Sequence, residues 1–343
     1  MVRNLVLIFI LTLFHSVNAD ELKFALVPKI MTHPFFLESL KGCQDAAIKI
    51  GGVKCIFRGS PEAFDVREQN KILEQLIVDE GVDGIAVAIV QSEYLAKNSL
   101  QKAKEAGIPV ITFDSDLDFI TLKNDPNLRL AYIGTDNFEF GKALGKEIKK
   151  RRPNGDKLCI QMGYKNSFNL NLRLMGVRTV LSGKIYNVPP GEKLKNINGW
   201  TEIARCPLYS LTQIDRAIEQ MNFILSRPQQ EVDTFVSVLV GVQQIAPEKY
   251  RQLISPVKEK IAQKEIVIIS ADTTEAQLAL LKEHLSDINI GQMPYEMGRQ
   301  AIFTLYKIVT GKEYQEIIYT PLTYCTPENY DTCTKSGKLN HRN

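Results

Sequence analysis

The chain is written as short, unbroken apolar runs separated by longer stretches of mixed, periodic polarity. FALV at 24–27, GIAVAIV at 84–90 and PVITF at 109–113 are continuous rather than alternating. A run that is apolar at every position is buried on both faces, as parallel strands between helical layers are. The first half therefore reads as strands over Lys23–Pro28, Val53–Phe57, Gly84–Ala88, Pro109–Phe113 and Leu130–Ile133. Helices are predicted over Phe36–Lys49, Asp65–Asp79, Glu93–Ala106 and Gly141–Lys150. Stop signals such as Ala106-Gly107-Ile108-Pro109 close them.

After a basic, Pro/Gly-bearing stretch (Lys149–Asp156) the same alternation starts again. Strands are predicted over Lys157–Met162, Trp200–Arg205, Thr234–Leu239 and Ile266–Ser270, and helices over Asn171–Ser182, Leu211–Leu225, Pro247–Gln263 and Glu275–His284. Lys184–Asn198 reads as a surface loop. After Asp287–Gly291 come a last helix, Tyr295–Val309, and an extended tail. Two βαβ arrays in succession imply an α/β protein of two doubly wound, parallel-sheet (Rossmann-like) lobes, with strand carboxyl ends facing one cleft.

The first residues stand outside this pattern. Arg3 precedes the apolar run Leu5–Phe14, which ends in Ser16-Val17-Asn18-Ala19. That is the layout of a secretory signal peptide spanning 1–19, cleaved after Ala19. The run is about ten residues, half of what a membrane-spanning helix needs. Export into an oxidising compartment would make the six cysteines (43, 55, 159, 206, 325 and 333) disulfide candidates. Six allow 15 pairings; pairing between sequence neighbours is expected, as Cys43–Cys55, Cys159–Cys206 and Cys325–Cys333. Their spacing does not suggest zinc, and no cofactor is implied. Lys+Arg total 42 against Asp+Glu 39, interspersed, for a net charge of +3. That balance leaves no electrostatic footprint for nucleic acid.

Side chains just after predicted strands should line the cleft. In the first array these are His33, Phe35, Phe36, Gln91, Asp114 and Asp116; in the second they include Asn169, Asn171, Tyr209 and Asp272, with Gln292 after the last strand. Carboxylates accept hydrogen bonds from paired hydroxyls, amides donate and accept, and rings cover the C–H faces of a sugar. Simpler roles exist for several. Phe35-Phe36 could be a helix-entry staple, and Asp272, ahead of Thr273-Thr274-Glu275, a helix N-cap. Nothing catalytic is apparent: there is no nucleophile elbow and no Ser/His or Cys/His arrangement.

The motifs Thr32-His33-Pro34-Phe35-Phe36, Gly107 to Asp116, Tyr132 to Asn137, Ser270 to Glu275 and Gly291-Gln292-Met293-Pro294-Tyr295-Glu296-Met297-Gly298 carry a resemblance. The chain resembles the ribose-binding branch of the type I periplasmic solute-binding proteins over nearly its whole mature length. The resemblance implies a multi-crossing hinge near Thr135–Asn137, Gly291–Gln292 and Glu316–Tyr319. It also puts His33, Phe35, Phe36, Asp114, Asp272 and Gln292 on the ligand. The lobes would be 20–136 plus 292–315 and 137–291 plus 316–343. Partners would be a sugar-like small molecule and either the membrane permease of an ABC importer or a sensor kinase or chemoreceptor; the protein would be a monomer and not an enzyme. Three departures disfavour ribose. Ser115 and Asn171 stand where ribose binders carry arginines, and Ser237-Val238-Leu239-Val240-Gly241 replaces an Asn-Asp pair. Leu117–Arg129 lengthens the loop at the cleft edge.

Overall fold

The computed structural model describes residues 21–61, 65–225, 232–239 and 241–334. The expected signal segment, 1–19, lies outside the described residues.

The apolar runs form two sheets. The first contains β1 (Leu22–Val27), β2 (Val53–Phe57), β3 (Gly84–Val87), β4 (Val110–Phe113) and β5 (Tyr132–Gly134). The second contains β6 (Lys157–Met162), β7 (Thr201–Glu202), β8 (Leu208–Tyr209), β9 (Thr234–Ser237), β10 (Val267–Ala271) and β11 (Ile288–Gly291). Two tail strands follow, β12 (Ile317–Tyr319) and β13 (Thr323–Cys325). The spatial orders are β12-β5-β4-β3-β1-β2 and β13-β11-β10-β9-β6-β7, with β8 also beside β6. Pairing is parallel throughout the first sheet, and in the second only β13 runs antiparallel. Leaving the tail aside, both lobes share one winding order, reversing direction beside their first strand. Ligands bind at such a reversal, off the strand carboxyl ends. The two-lobed α/β architecture read from the sequence is the one observed.

The tail departs from expectation. The resemblance puts residues from 316 onward in the second lobe, but Ile317–Tyr319 pairs with Tyr132–Gly134 and extends the first sheet. Only β13 joins the second sheet. An open edge at β5 presents unpaired backbone groups, and the tail covers it before crossing. The chain thus changes sheet after β5, after β11, and between Tyr319 and Thr323. Other elements are shorter than expected. Glu93–Ala106 divides into helices Ser92–Ala96 and Ser99–Glu105, and Trp200–Arg205 keeps only two strand residues, with Trp200 buried in the core. The added Leu117–Arg129 stretch folds a short helix, Phe119–Asn124, capped by Asp118.

Helix packing repeats between the lobes. The Asn137–Arg151 and Phe168–Ser182 helices cross at Gly141 and Gly176, where a Cβ would run into the partner helix's backbone. Gly42 and Gly298 perform the same service where the Pro34–Ile50 and Pro294–Val309 helices meet. The close approach brings Arg173 beside Asn137 at the mouth of the second lobe. The three expected disulfides are present. They tie the first helix to β2, β6 to Cys206, and β13 to the end of the described tail. Among the described residues, no helix is long and apolar enough to cross a membrane.

Candidate ligand-binding cleft

A cavity of about 510 Å³ lies where the carboxyl ends of the two sheets meet. That falls within the roughly 300–1,000 Å³ typical of small-molecule sites. Of the residues expected there, His33, Phe35, Phe36, Asp114, Asn169, Asp272 and Gln292 line it. They come from both lobes and from one of the crossings between them.

Each is held by local chemistry. His33 caps the Pro34–Ile50 helix, its Nδ1 accepting from the Phe35 backbone N–H at 3.1 Å. The proton of the neutral ring therefore sits on Nε2. Burial holds this imidazole down at about 4; Asp114 pulls it up and Lys29 adds to the lowering. Phe35 and Phe36 meet edge to face at 5.2 Å, and Phe36 meets Phe113 in the same way at 6.1 Å. Both rings therefore belong to the core and to the cavity wall. Asp114 follows β4 and Asp272 follows β10, each at positive φ, 59° and 70°. Few residues other than glycine, Asn and Asp adopt that conformation.

The two carboxylates are neutralised differently. Asp114 forms a buried ion pair with Lys29 at 2.9 Å. Asp272 Oδ1 accepts from Gln292 Nε2 at 2.9 Å, while Gln292 Oε1 accepts from Arg173 at 2.9 Å. Gln292, at a lobe crossing, thus joins a cation to an anion. Burial raises the Asp272 carboxyl above its usual value, and Arg173 and Gln292 oppose that. Its Oδ2 is buried with no hydrogen-bond partner. Asp272 is not the helix N-cap; Thr274 fills that role in a capping box with Gln277.

Four expected residues do not line the cavity. Asp116 is engaged by Arg129 through two nitrogens, at 3.0 and 2.9 Å, and Arg129 also reaches Glu316. This ties the added stretch to the tail. Asn171 donates to the Lys165 carbonyl at 2.9 Å. It lies two positions from Asn169, and helix residues two apart do not share a face; Asn169 and Arg173, four apart, do. Tyr209 packs against the second-lobe core, and Ser210, the residue just past the end of this strand, lines the cavity instead. Gln91 is exposed at the start of a short helix.

Lys29, Gln161, Arg173 and Gln244 also line the cavity and were not assigned to it from the sequence. Lys29 was within reach of the strand-end rule, being two residues beyond β1. Gln161 is a polar residue inside a buried strand, a signal in its own right. Arg173 has donors on Asn137, the Val238 carbonyl and Gln292, with Phe140 beneath it at 4.4 Å. It braces the site as well as lining it. Across the rim, Phe119 of the added helix meets Phe168 of the second lobe edge to face at 4.8 Å.

A cavity shared by two similarly wound lobes, lined by paired charges, carboxamides and rings, defines a binding protein of the two-lobed cleft type. The chain belongs to the periplasmic binding protein domain family, whose pattern it matches over residues 24–313. It is similar to the D-ribose/D-allose-binding protein of Pseudomonas aeruginosa, 22% identical over 321 residues, 92% of each chain. Among solved structures it is similar to an ABC transporter solute binding protein from Agrobacterium vitis bound with α-D-tagatopyranose. That likeness has a TM-score of 0.77 at 21% identity, covering 92% of this chain and 98% of the other. A chain from an XylFII-LytSN complex is similar at a TM-score of 0.72 and 23% identity, covering 90% and 98%. Among the described residues no group of three His, Cys, Asp or Glu could hold a metal ion.

Proposed function

We propose that this protein is exported to the periplasm, where it captures a neutral, hydroxyl-rich small molecule of the sugar class by closing its lobes around it. The observation that carries the reading is the charge balance of the cavity. Lys29 is matched by Asp114, and Arg173 by Asp272 through Gln292. Among the described lining residues no cation is left over for a phosphate or carboxylate, and the Asp272 Oδ2 invites a hydroxyl donor. The rings of Phe35 and Phe36 offer apolar surface for C–H faces. Likeness to a ribose/allose binder and to a tagatose-bound protein supports the same class.

Contacts from both lobes favour the closed state, because the open state keeps only part of them. Micromolar affinity corresponds to about 8 kcal/mol. A few charge-assisted hydrogen bonds at roughly 1.5–3 kcal/mol each reach that after ordering costs. The protein binds its ligand without converting it and hands it to an ABC importer. A second output, signalling through a membrane sensor, is favoured by the likeness to a chain from the XylFII-LytSN complex.

The test is calorimetric titration with aldopentoses, aldohexoses, ketohexoses and polyols, alongside sugar phosphates and sugar acids. Saturable binding of a neutral sugar, recovered intact afterwards, is expected. Binding confined to the anionic compounds would overturn the reading.

A further inference from the structure

The segment that replaces the Asn-Asp pair of ribose binders does not leave the second lobe bare. Beyond Gly241 the chain forms a single helical turn, Val242–Ile245, carrying two successive glutamines. They face different ways. Gln243 turns into the lobe. Its Oε1 accepts from Asn289 at 2.9 Å and its Nε2 donates to Tyr250 Oη at 3.0 Å; that hydroxyl in turn donates to the Leu285 carbonyl at 2.6 Å. The Asn289 amide also reaches the Asp272 carbonyl at 3.3 Å. The turn is therefore pinned to the same buried network that holds Asp272.

With Gln243 anchored, Gln244 has one direction left, and it lines the cavity. It is 6% exposed, and neither its Nε2 nor its Oε1 has a hydrogen-bond partner. Nearly all buried amides in folded proteins are hydrogen-bonded, so a rigidly held exception aimed into a binding cavity points to a ligand. A carboxamide offers donors and an acceptor side by side, which matches two adjacent hydroxyls.

We infer that Gln244 is a direct, specificity-setting contact, taking a pair of neighbouring hydroxyls on the face of the sugar that meets the second lobe. This rests on the neutral-sugar reading above and adds which residue discriminates among sugars. A site built to hydrogen-bond a hydroxyl rejects analogues that present it differently, whereas an apolar wall does not.

The experiment titrates wild type, Gln244→Leu and Gln244→Glu with D-ribose, D-allose, D-xylose, D-arabinose, D-glucose and D-galactose, and records the ligand-free Tm of each. For the sugar held tightest by wild type, Gln244→Leu should lose on the order of tenfold in affinity, and the ratios between epimers should shrink. Gln244→Glu, which cannot donate through that atom, should reorder the panel. Ligand-free Tm of Gln244→Leu should equal or exceed wild type, since an unpartnered amide is removed. Wild-type affinity and wild-type ratios in Gln244→Leu would overturn the inference, as would a loss of binding that merely follows a fall in ligand-free Tm. Failure of wild type to bind any of the six, and any of the ketohexoses and polyols titrated above, would instead count against the sugar reading beneath it, and is seen before any variant is made.

Discussion

Asp114 and Asp272 occupy equivalent places in the two lobes. Each follows the fourth parallel strand of its winding order, adopts a left-handed backbone conformation, and donates its backbone N–H to a carbonyl of the neighbouring strand, Ile133 and Ile290 respectively. Both are nearly enclosed, 5% and 3% exposed, and face one cavity. Their chemistry differs. Asp114 is bound to a lysine, while Asp272 keeps one carboxylate oxygen unpartnered. On the function proposed above, the unpartnered oxygen of Asp272 is the one open to a ligand hydroxyl.

From that asymmetry, Asp272→Ala should weaken sugar binding by roughly 2 kcal/mol, about thirtyfold in Kd, without unfolding the protein. Asp272→Asn should leave the ligand-free Tm unchanged or higher near neutral pH, because burial opposes the charge. Calorimetry on both variants beside wild type checks this, and wild-type affinity in Asp272→Ala would remove the residue from the site.

His33 predicts a pH dependence. Its folded value of about 4 lies below the ordinary 6.5, so between those limits the unfolded chain takes up a proton that the folded protein refuses. Stability from this group is complete above pH 6.5 and declines as pH falls towards 4, by up to roughly 3 kcal/mol. The facing groups are Asp114 and Lys29. His33→Asn keeps an N-cap acceptor and removes the titration. Denaturant unfolding at several pH values should show the wild type losing its advantage over His33→Asn across that interval.

The Phe119–Phe168 contact spans the rim of the cleft. Phe119 is 60% exposed, so its ring contributes little to the first-lobe core. An edge-to-face pair is worth about 0.5–1.5 kcal/mol. Phe119→Ala should therefore speed ligand release by roughly 2- to 10-fold with little change in association rate. Stopped-flow traces with unchanged dissociation would show that the pair does not hold the lobes together.

Much of this protein was legible in one dimension. Short runs such as FALV and PVITF, bounded by Pro and Gly, read as strands buried on both faces, and two arrays of them imply two lobes with a cleft between. The strand-end rule then reached His33, Asp114, Asp272 and Gln292 because backbone winding alone puts those positions at the sheets' carboxyl edges. Cysteine proximity along the chain likewise reached the three bridges.

What tertiary structure decided was direction and partnership. Asp116 and Asp114 are two residues apart, yet one is taken by Arg129 and the other faces the cavity. Ser210, just past the strand end, lines the cavity where Tyr209 packs on the core, and Asn171 yields to Asn169 and Arg173 through helical periodicity. Ile317–Tyr319 belongs to the first lobe because β5 offers an open edge, a fact recorded nowhere near residue 317. Sequence sets which groups are available at each level of the fold. Which of them remain unpartnered, and so free to grip a ligand, depends on neighbours brought together only when the chain closes on itself.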